Sequence, residues 1–168
     1  MKLLDGKIVK EDILLKLEDK LKELDEKIGL AVIQVGDNTA SNVYIRQKSK
    51  MAENLGYNFN HIKLDSNTRE EEIINIIDKL NNDDTIDGIL LQLPIPNNLN
   101  SKRIINTINP DKDVDGLTDI NIGRLVSNSK GLYPCTPSGI MSLLDYYNIE
   151  VEGKNIVIVG RSILVGKP

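Results

Sequence analysis

The sequence contains few of the residues that build disulfide frameworks and aromatic cores. Cysteine occurs once, at Cys135, which excludes an internal disulfide and a cysteine-rich metal site. Tryptophan is absent, and one phenylalanine and five tyrosines are the only aromatic residues, so the core must be mostly aliphatic. No apolar run approaches the roughly 20 residues that a membrane-spanning helix needs. The composition is therefore that of a globular protein without a membrane partner.

Basic residues do not dominate the sequence either. The formal net charge is −4, and no basic stripe is present, so we expect no nucleic acid partner. The N-terminal sequence MKLLDGKIVKED lacks the apolar segment of a secretory signal. Together with the lack of a membrane-spanning run, this makes the cytoplasm the expected location.

Short apolar runs alternate with amphipathic segments along the chain. Strands are predicted at IGLAVIQV, YNFNHIKL, IDGILLQL and NIVIVG, which occupy residues 28–35, 57–64, 86–93 and 155–160. The nearly continuous apolar character of the first, third and fourth runs is typical of strands that are buried on both faces. Helices are predicted over residues 8–25, 39–56, 66–80, 100–108 and 136–147. For the last helix, Thr136 is the predicted N-cap and Pro137 the first helical residue.

This alternation predicts an α/β fold with a parallel sheet covered by helices. We expect residues 1–147 to form one domain and residues 148–168 to begin a second. The segment NIVIVG has no strand after it in the sequence, so its hydrogen-bonding groups are expected to find no partner within this chain. The predicted domain boundary therefore separates a folded unit from an incomplete one.

One lysine lies on the apolar face of a predicted helix. At about 100° of turn per residue, Lys48 lies between Ala52 and Leu55 on the apolar side of the helix over residues 39–56. Tyr44 lies four residues earlier on the same face. Either the lysine stem covers apolar surface while its ammonium reaches water, or the side chain has a function.

Polar residues follow the predicted strands at the edge where parallel sheets bind ligands. Gln34 and Gln92 are located at the ends of two strands, and the loop PDKDVDGL supplies three alternating aspartates, the last of which is Asp115. A calcium-binding loop would require a glutamate where Ile122 stands, so an acidic turn is the simpler interpretation of this loop. His61 and Cys135 are each more typical of packing or surface residues than of a nucleophile or metal site.

Five segments, in order, resemble a known enzyme family. They are VGDNTASNVYIRQKSK, GILLQLPIP, PDKDVDGLT, YPCTPSG and VGRSILVGKP. Together they are similar to the successive motifs of the bifunctional methylenetetrahydrofolate dehydrogenase/methenyltetrahydrofolate cyclohydrolase family, often called FolD. The resemblance extends from about residue 5 to residue 168.

The resemblance implies a function and a set of site residues. Members oxidise methylenetetrahydrofolate with NADP and then hydrolyse the methenyl product to formyltetrahydrofolate. Lys48 matches the catalytic lysine, Gln92 the glutamine that holds it, and Tyr44 a tyrosine that stacks on the folate and assists catalysis. Asp115 matches the carboxylate that binds the pterin. Gly160, Arg161 and Ser162 match the loop that binds NADP, although the loop differs from the common GxGxxG fingerprint.

The resemblance also leaves alternatives. Family members pair as homodimers and continue through a complete cofactor domain, so we expect this chain by itself to bind folate without NADP-dependent oxidation. A stand-alone folate-binding module without turnover is the principal alternative. A helix-covered scaffold whose acidic loop binds a metal or a protein is a third interpretation, and it predicts no folate binding.

Overall fold

A three-stranded parallel sheet lies at the centre of the fold. In the computed structural model, which describes residues 3–168, the strands are β1 (Gly29–Val35), β2 (Asn58–Leu64) and β3 (Gly88–Gln92). Their order in the sheet is β2-β1-β3, and both pairings are parallel. The predicted α/β class and the first three predicted strands are therefore confirmed.

Helices cover the sheet on both faces. Those formed by the described residues are α1 (Gly6–Leu21), α2 (Thr39–Asn54), α3 (Glu70–Asn81), α4 (Ser101–Ile105), α5 (Asp119–Val126) and α6 (Cys135–Tyr146). None of the helices within residues 3–168 has the length and apolar character to cross a membrane.

The central strand is apolar at nearly every position because both of its faces are packed. On one face, Ala31, Ile33 and Val35 join a cluster with α3 residues such as Ile73 and Ile77. On the other face, Val32 packs with Ile45 of α2 and with Leu90 of β3. Two packed faces explain why β1 shows a continuous apolar run instead of alternation.

The strand register places two glutamines on the face that α2 covers. Gln34 is the register partner of Gln92, so both side chains leave the sheet on one face, at its carboxyl edge. Helix α2 begins directly after β1, and the side chain of Asn38 caps it by accepting a hydrogen bond from the Ser41 N–H at 3.1 Å. The α2 helix therefore runs across the edge at which both glutamines emerge.

Three sequence predictions about local structure are wrong. Helix α6 begins at Cys135 with Pro134 in the N-cap position, so Thr136 lies inside the first turn and is not the cap. Helix α5 forms where only a loop was expected. The segment 155–160 is not a buried strand, because it pairs with no strand of the described chain and Val159 is 99% exposed. The lack of a neighbouring strand, in contrast, agrees with the expectation that the backbone of this segment finds no strand partner within this chain.

Candidate functional site

Lys48 and Gln92 form a direct contact between α2 and the end of β3. The Lys48 Nζ donates a hydrogen bond to Gln92 Oε1 at 3.0 Å. On α2, the buried residues Ser41, Ile45 and Ala52 mark the face against the sheet, and Lys48 continues this row at helical spacing. Lys48 itself is half-buried. The predicted inward orientation of the lysine is therefore confirmed.

The Gln92 amide has a fixed orientation. Its Nε2 donates to the carbonyl oxygen of Leu93 at 2.8 Å, and that carbonyl also accepts from the Ser41 hydroxyl at 3.4 Å. Because an amide nitrogen cannot accept a hydrogen bond, this contact leaves Oε1 as the atom that faces Lys48. Gln92 thus holds the lysine nitrogen with an acceptor.

Gln34 emerges at the same sheet edge but belongs to a different cluster. Its Nε2 donates to Asn42 Oδ1 at 2.7 Å and to the carbonyl oxygen of Gly36 at 3.1 Å. Its Oε1 lies 3.0 Å from His61 Nε2. These partners lie on α2, directly after β1 and on β2, so Gln34 and His61 support the start of α2 and take no part in the Lys48 contact.

Asp115 is carried by a loop that packs against the segment before α6. Gly116 adopts a φ of +66°, and a Cβ atom at this position would lie 2.4 Å from the carbonyl carbon of Tyr133. The thiol of Cys135 donates to the carbonyl oxygen of Val114 at 3.1 Å. These contacts place Asp115 beside the N-terminus of α6.

A small cavity lies between the end of β3, the loop that carries Asp115 and the start of α6. Its volume is about 160 Å³, and Gln92 and Asp115 both line it. The remaining lining residues are Leu93, Leu117, Pro134, Cys135, Thr136 and Leu164. The cavity lies at the carboxyl end of β3, which is where open parallel sheets bind ligands.

Burial and neighbouring charges set the ionisation of two groups in the cavity. Burial raises the pKa of the Asp115 carboxyl, and the positive charge of Lys48 opposes this effect. Burial also raises the pKa of the Cys135 thiol, and the nearby Asp115 carboxylate adds to that rise. Cys135 is consequently disfavoured as a thiolate nucleophile. The charge of Lys48 therefore favours the ionised form of Asp115, whereas burial disfavours it.

Comparison with family models identifies the chain. Residues 4–115 match the catalytic domain of tetrahydrofolate dehydrogenase/cyclohydrolase, and residues 134–168 match the NAD(P)-binding domain of the same family. The chain belongs to the tetrahydrofolate dehydrogenase/cyclohydrolase family. This membership confirms the resemblance inferred from the five motifs.

Curated relatives in this family match nearly the whole chain. The bifunctional protein FolD of Prochlorococcus marinus is 46% identical over 99% of this chain. FolD of Staphylococcus aureus is 44% identical over the same share. The alignments cover 56% and 59% of those proteins, so the chain spans somewhat more than half of the length of these relatives.

Solved FolD structures share this fold. The bifunctional FolD enzyme of Campylobacter jejuni has a TM-score of 0.96 at 42% identity, covering 99% of this chain and 61% of that one. The Trypanosoma brucei FolD, which was solved with NADP and an inhibitor, has a TM-score of 0.91 at 30% identity. That alignment covers 96% of this chain and 57% of the trypanosomal one.

The structure brings together some of the site residues that family resemblance assigned. Gln92 and Asp115 line the cavity, and Lys48 contacts Gln92 and lowers the pKa of Asp115 through its charge. Tyr44 lies one turn before Lys48 on α2 and is 58% exposed, so its ring is accessible next to the lysine. Sequence reasoning did not assign Leu164 or the α6 N-terminus to the site, because their approach to Asp115 depends on tertiary packing.

The predicted cofactor residues occupy a loop of the FolD NAD(P)-binding region. Gly160, Arg161 and Ser162 are exposed. The Ser162 hydroxyl accepts from the Val165 N–H at 3.2 Å, and the Ser162 carbonyl accepts from the Lys167 N–H at 2.9 Å. A Cβ atom on Gly166 would lie 2.5 Å from Gly160, so the loop closes on itself and requires a glycine there.

We expect Gly116→Ala to destabilise the fold. The left-handed backbone at Gly116 costs a residue with a Cβ atom about 1–2 kcal/mol, and the clash with Tyr133 adds to this cost. Urea unfolding monitored by circular dichroism measures the loss. Gly123→Ala is the control, because no atom lies within 4 Å of the added Cβ atom and alanine favours a helix. Equal unfolding free energies for the two variants would contradict this assignment of strain.

Proposed function

We propose that this chain supplies the folate site of a bifunctional methylenetetrahydrofolate dehydrogenase and methenyltetrahydrofolate cyclohydrolase. The observation that carries the proposal is the 3.0 Å contact between Lys48 Nζ and Gln92 Oε1, next to Asp115. It supports a site in which Lys48 transfers a proton, Gln92 holds Lys48, and the Asp115 carboxylate recognises the substrate. Family membership supports the choice of a tetrahydrofolate substrate.

Asp115 is proposed to bind the pterin ring. A pterin presents an amino group and a ring N–H side by side, and an ionised carboxylate accepts two such parallel hydrogen bonds. The position of Asp115 in the cavity wall makes this pairing partly desolvated, which strengthens it. Tyr44 is proposed to offer its exposed ring as a flat surface for the folate, next to the lysine.

Lys48 is proposed to move the proton in the hydrolytic step. Water adds to the methenyl carbon of the cationic substrate, a C–O bond forms, and a proton leaves the attacking water. Lys48, as the neutral amine, accepts that proton and then gives it to the leaving nitrogen as one C–N bond breaks. The hydroxyl of the adduct loses its own proton to solvent, and formyltetrahydrofolate forms. Because Gln92 directs its oxygen at Nζ, one N–H of Lys48 is held and the nitrogen keeps a fixed position towards the substrate.

The loop at residues 160–162 is proposed to hold NADP. The fork of the Arg161 guanidinium and the Ser162 hydroxyl fit a phosphate group, and the absence of a side chain at Gly160 allows close approach of a ligand. When bound, NADP supplies the acceptor for the hydride that leaves methylenetetrahydrofolate. Leu164 of the same loop lines the cavity proposed to bind folate, which supports a loop that contacts both ligands.

The remaining expectations complete the proposal. The enzyme is proposed to act in the cytoplasm as a homodimer and to have no nucleic acid partner. The net charge of −4 and the single cysteine support the location and the absence of a nucleic acid partner. The domain boundary after residue 147 is likewise proposed. It assigns α6 to the folate domain because the Asp5 N–H, directly before α1, donates to the Tyr147 hydroxyl at 2.9 Å, whereas the NAD(P)-binding family model already begins at residue 134.

Two measurements on the purified chain test the proposed function. The first is calorimetric titration with tetrahydrofolate, kept reduced under anaerobic conditions. The second is the rate at which methenyltetrahydrofolate is hydrolysed to formyltetrahydrofolate, compared with the rate in buffer. We expect saturable binding and accelerated hydrolysis. Binding without acceleration would favour the folate-binding module, and the absence of both would overturn the proposal.

A further inference from the structure

Asp113 is a buried carboxylate for which the proposed chemistry has no use. It is 1% exposed, although it lies only two residues from Asp115 on the same loop. Its Oδ2 accepts hydrogen bonds from the Thr118 N–H at 2.8 Å and from Asn121 Nδ2 at 3.0 Å. A carboxylate is costly to bury, so its hydrogen bonds must compensate for lost solvation. Asp113 therefore joins the loop to the start of α5.

Asn121 extends this connection. It is fully buried, and its Nδ2 also donates to the carbonyl oxygen of Pro110 at 2.7 Å. Its Oδ1 accepts from the Arg124 guanidinium at 3.1 Å. One asparagine thus contacts both the start of the loop and Asp113. Helix α5 acts as the support on which the loop is fixed.

The other side of the loop is attached to the sheet. The Ile89 N–H donates to the carbonyl oxygen of Lys112 at 2.7 Å, and Ile89 forms a parallel bridge with Asp113. Gly88 allows this approach, because a Cβ atom there would lie 2.5 Å from the Val114 side chain. The loop is consequently held between β3 and α5, with Asp115 directly beyond the attachment points.

From this arrangement we propose that Asp113 is a positioning residue of the folate site, whose buried carboxylate fixes the backbone that presents Asp115 to the pterin. The proposal rests on the proposed function for the role of Asp115. It assigns Asp113 no contact with substrate.

Asp113 also acts on Asp115 through its charge. The groups that face the Asp115 carboxylate are Lys48 from α2, Cys135 from α6 and Asp113 from its own loop. Burial is the main cause of the raised Asp115 pKa, and the negative charge of Asp113 adds to it. Asp115 binds a pterin as the ionised carboxylate, so affinity is lost as pH falls through this raised pKa. Removal of the Asp113 charge is expected to move that loss to lower pH.

Two substitutions separate positioning from charge. Asp113→Asn preserves the size of the side chain and one oxygen that can accept from Thr118 and Asn121, but removes the charge. Asp113→Ala removes the acceptor as well. The matched control is Asp119→Asn, which removes a negative charge from an exposed residue at the start of α5. Each variant is titrated with tetrahydrofolate across the acidic pH range, and the carboxyl ¹³C resonance of Asp115 is followed without ligand.

We expect Asp113→Ala to bind tetrahydrofolate about tenfold more weakly, because two buried donors lose their acceptor. Asp113→Asn should restore most of that affinity at neutral pH and should titrate Asp115 at lower pH than the unsubstituted chain. Asp119→Asn should leave the Asp115 titration unchanged. The charge effect is overturned if Asp113→Asn titrates Asp115 like the unsubstituted chain, or if Asp119→Asn shifts it equally. The positioning role is overturned if Asp113→Ala leaves both the tetrahydrofolate affinity and the ligand-free ¹³C resonance of Asp115 unchanged. Because the ¹³C titration needs no ligand, it decides this proposal even if tetrahydrofolate does not bind, an outcome that counts against the proposed function alone.

Discussion

Replacement of Lys48 by methionine is expected to reduce cyclohydrolase activity by about 10²–10⁴-fold, the usual contribution of a positioned acid or base. Methionine keeps much of the length and the apolar stem that packs along α2, but it cannot accept the proton that leaves the attacking water. The Gln92 oxygen loses its donor in this variant, but Gln92 is only half-buried, so little stability should be lost. Loss of activity with an intact fold is therefore the expected result.

The measurement is the rate of methenyltetrahydrofolate hydrolysis, with circular dichroism as the test of folding. Lys50→Met is the matched control, because Lys50 is an exposed lysine on the same helix. It should hydrolyse the substrate at the rate of the unsubstituted chain. If Lys48→Met retains activity, Lys48 only covers apolar surface and the proposed proton transfer is wrong.

Asp115→Ala should weaken tetrahydrofolate binding by about 1.5–3 kcal/mol, the range for a hydrogen bond to a charged group. Burial raises the pKa of Asp115, so folding already disfavours its ionised form. At neutral pH the carboxylate therefore opposes folding, and its removal should leave the melting temperature unchanged or raise it. Weaker binding without loss of stability would be typical of a residue kept for recognition.

Calorimetric titration at neutral pH measures the change in affinity, and thermal unfolding measures the stability. Asp119→Ala removes an exposed aspartate near the same loop and should bind as the unsubstituted chain does. Unchanged affinity in Asp115→Ala would remove this residue from the proposed site. A large fall in melting temperature would instead show that the carboxylate supports the loop.

Local pattern was sufficient to predict the parts of the site that depend on a single element. Helical spacing alone placed Lys48 on the inner face of α2, because the periodicity of a helix fixes which side chains share a face. The continuous apolar runs of β1 and β3 likewise predicted a sheet that is packed on both faces. Gln92 follows from the end of β3, since polar side chains there lie at the ligand-binding edge.

The features that sequence reasoning missed depend on distant partners. Helix α5 has only eight residues, and its capping residue Thr118 directly follows an acidic loop, so its periodicity was too short to recognise. The role of Asp113 becomes apparent only when Asn121 packs against it. The segment 155–160 has the apolar pattern of a buried strand, but burial requires neighbouring strands, and sequence pattern cannot supply them.

The exposure of residues 155–160 has a consequence for the rates at which backbone amides exchange with solvent. Within the described residues, none of these six N–H groups donates a hydrogen bond, whereas the amides of β1 lie between two strands. Amides in this segment should therefore exchange deuterium within the first seconds of labelling, at rates close to those of an unstructured peptide. Amides of β1 should exchange only when the sheet opens. One labelling experiment would thus divide the chain into a slowly exchanging sheet and a rapidly exchanging apolar segment, and the same segment would be the preferred position for cleavage by a protease that accepts valine and isoleucine.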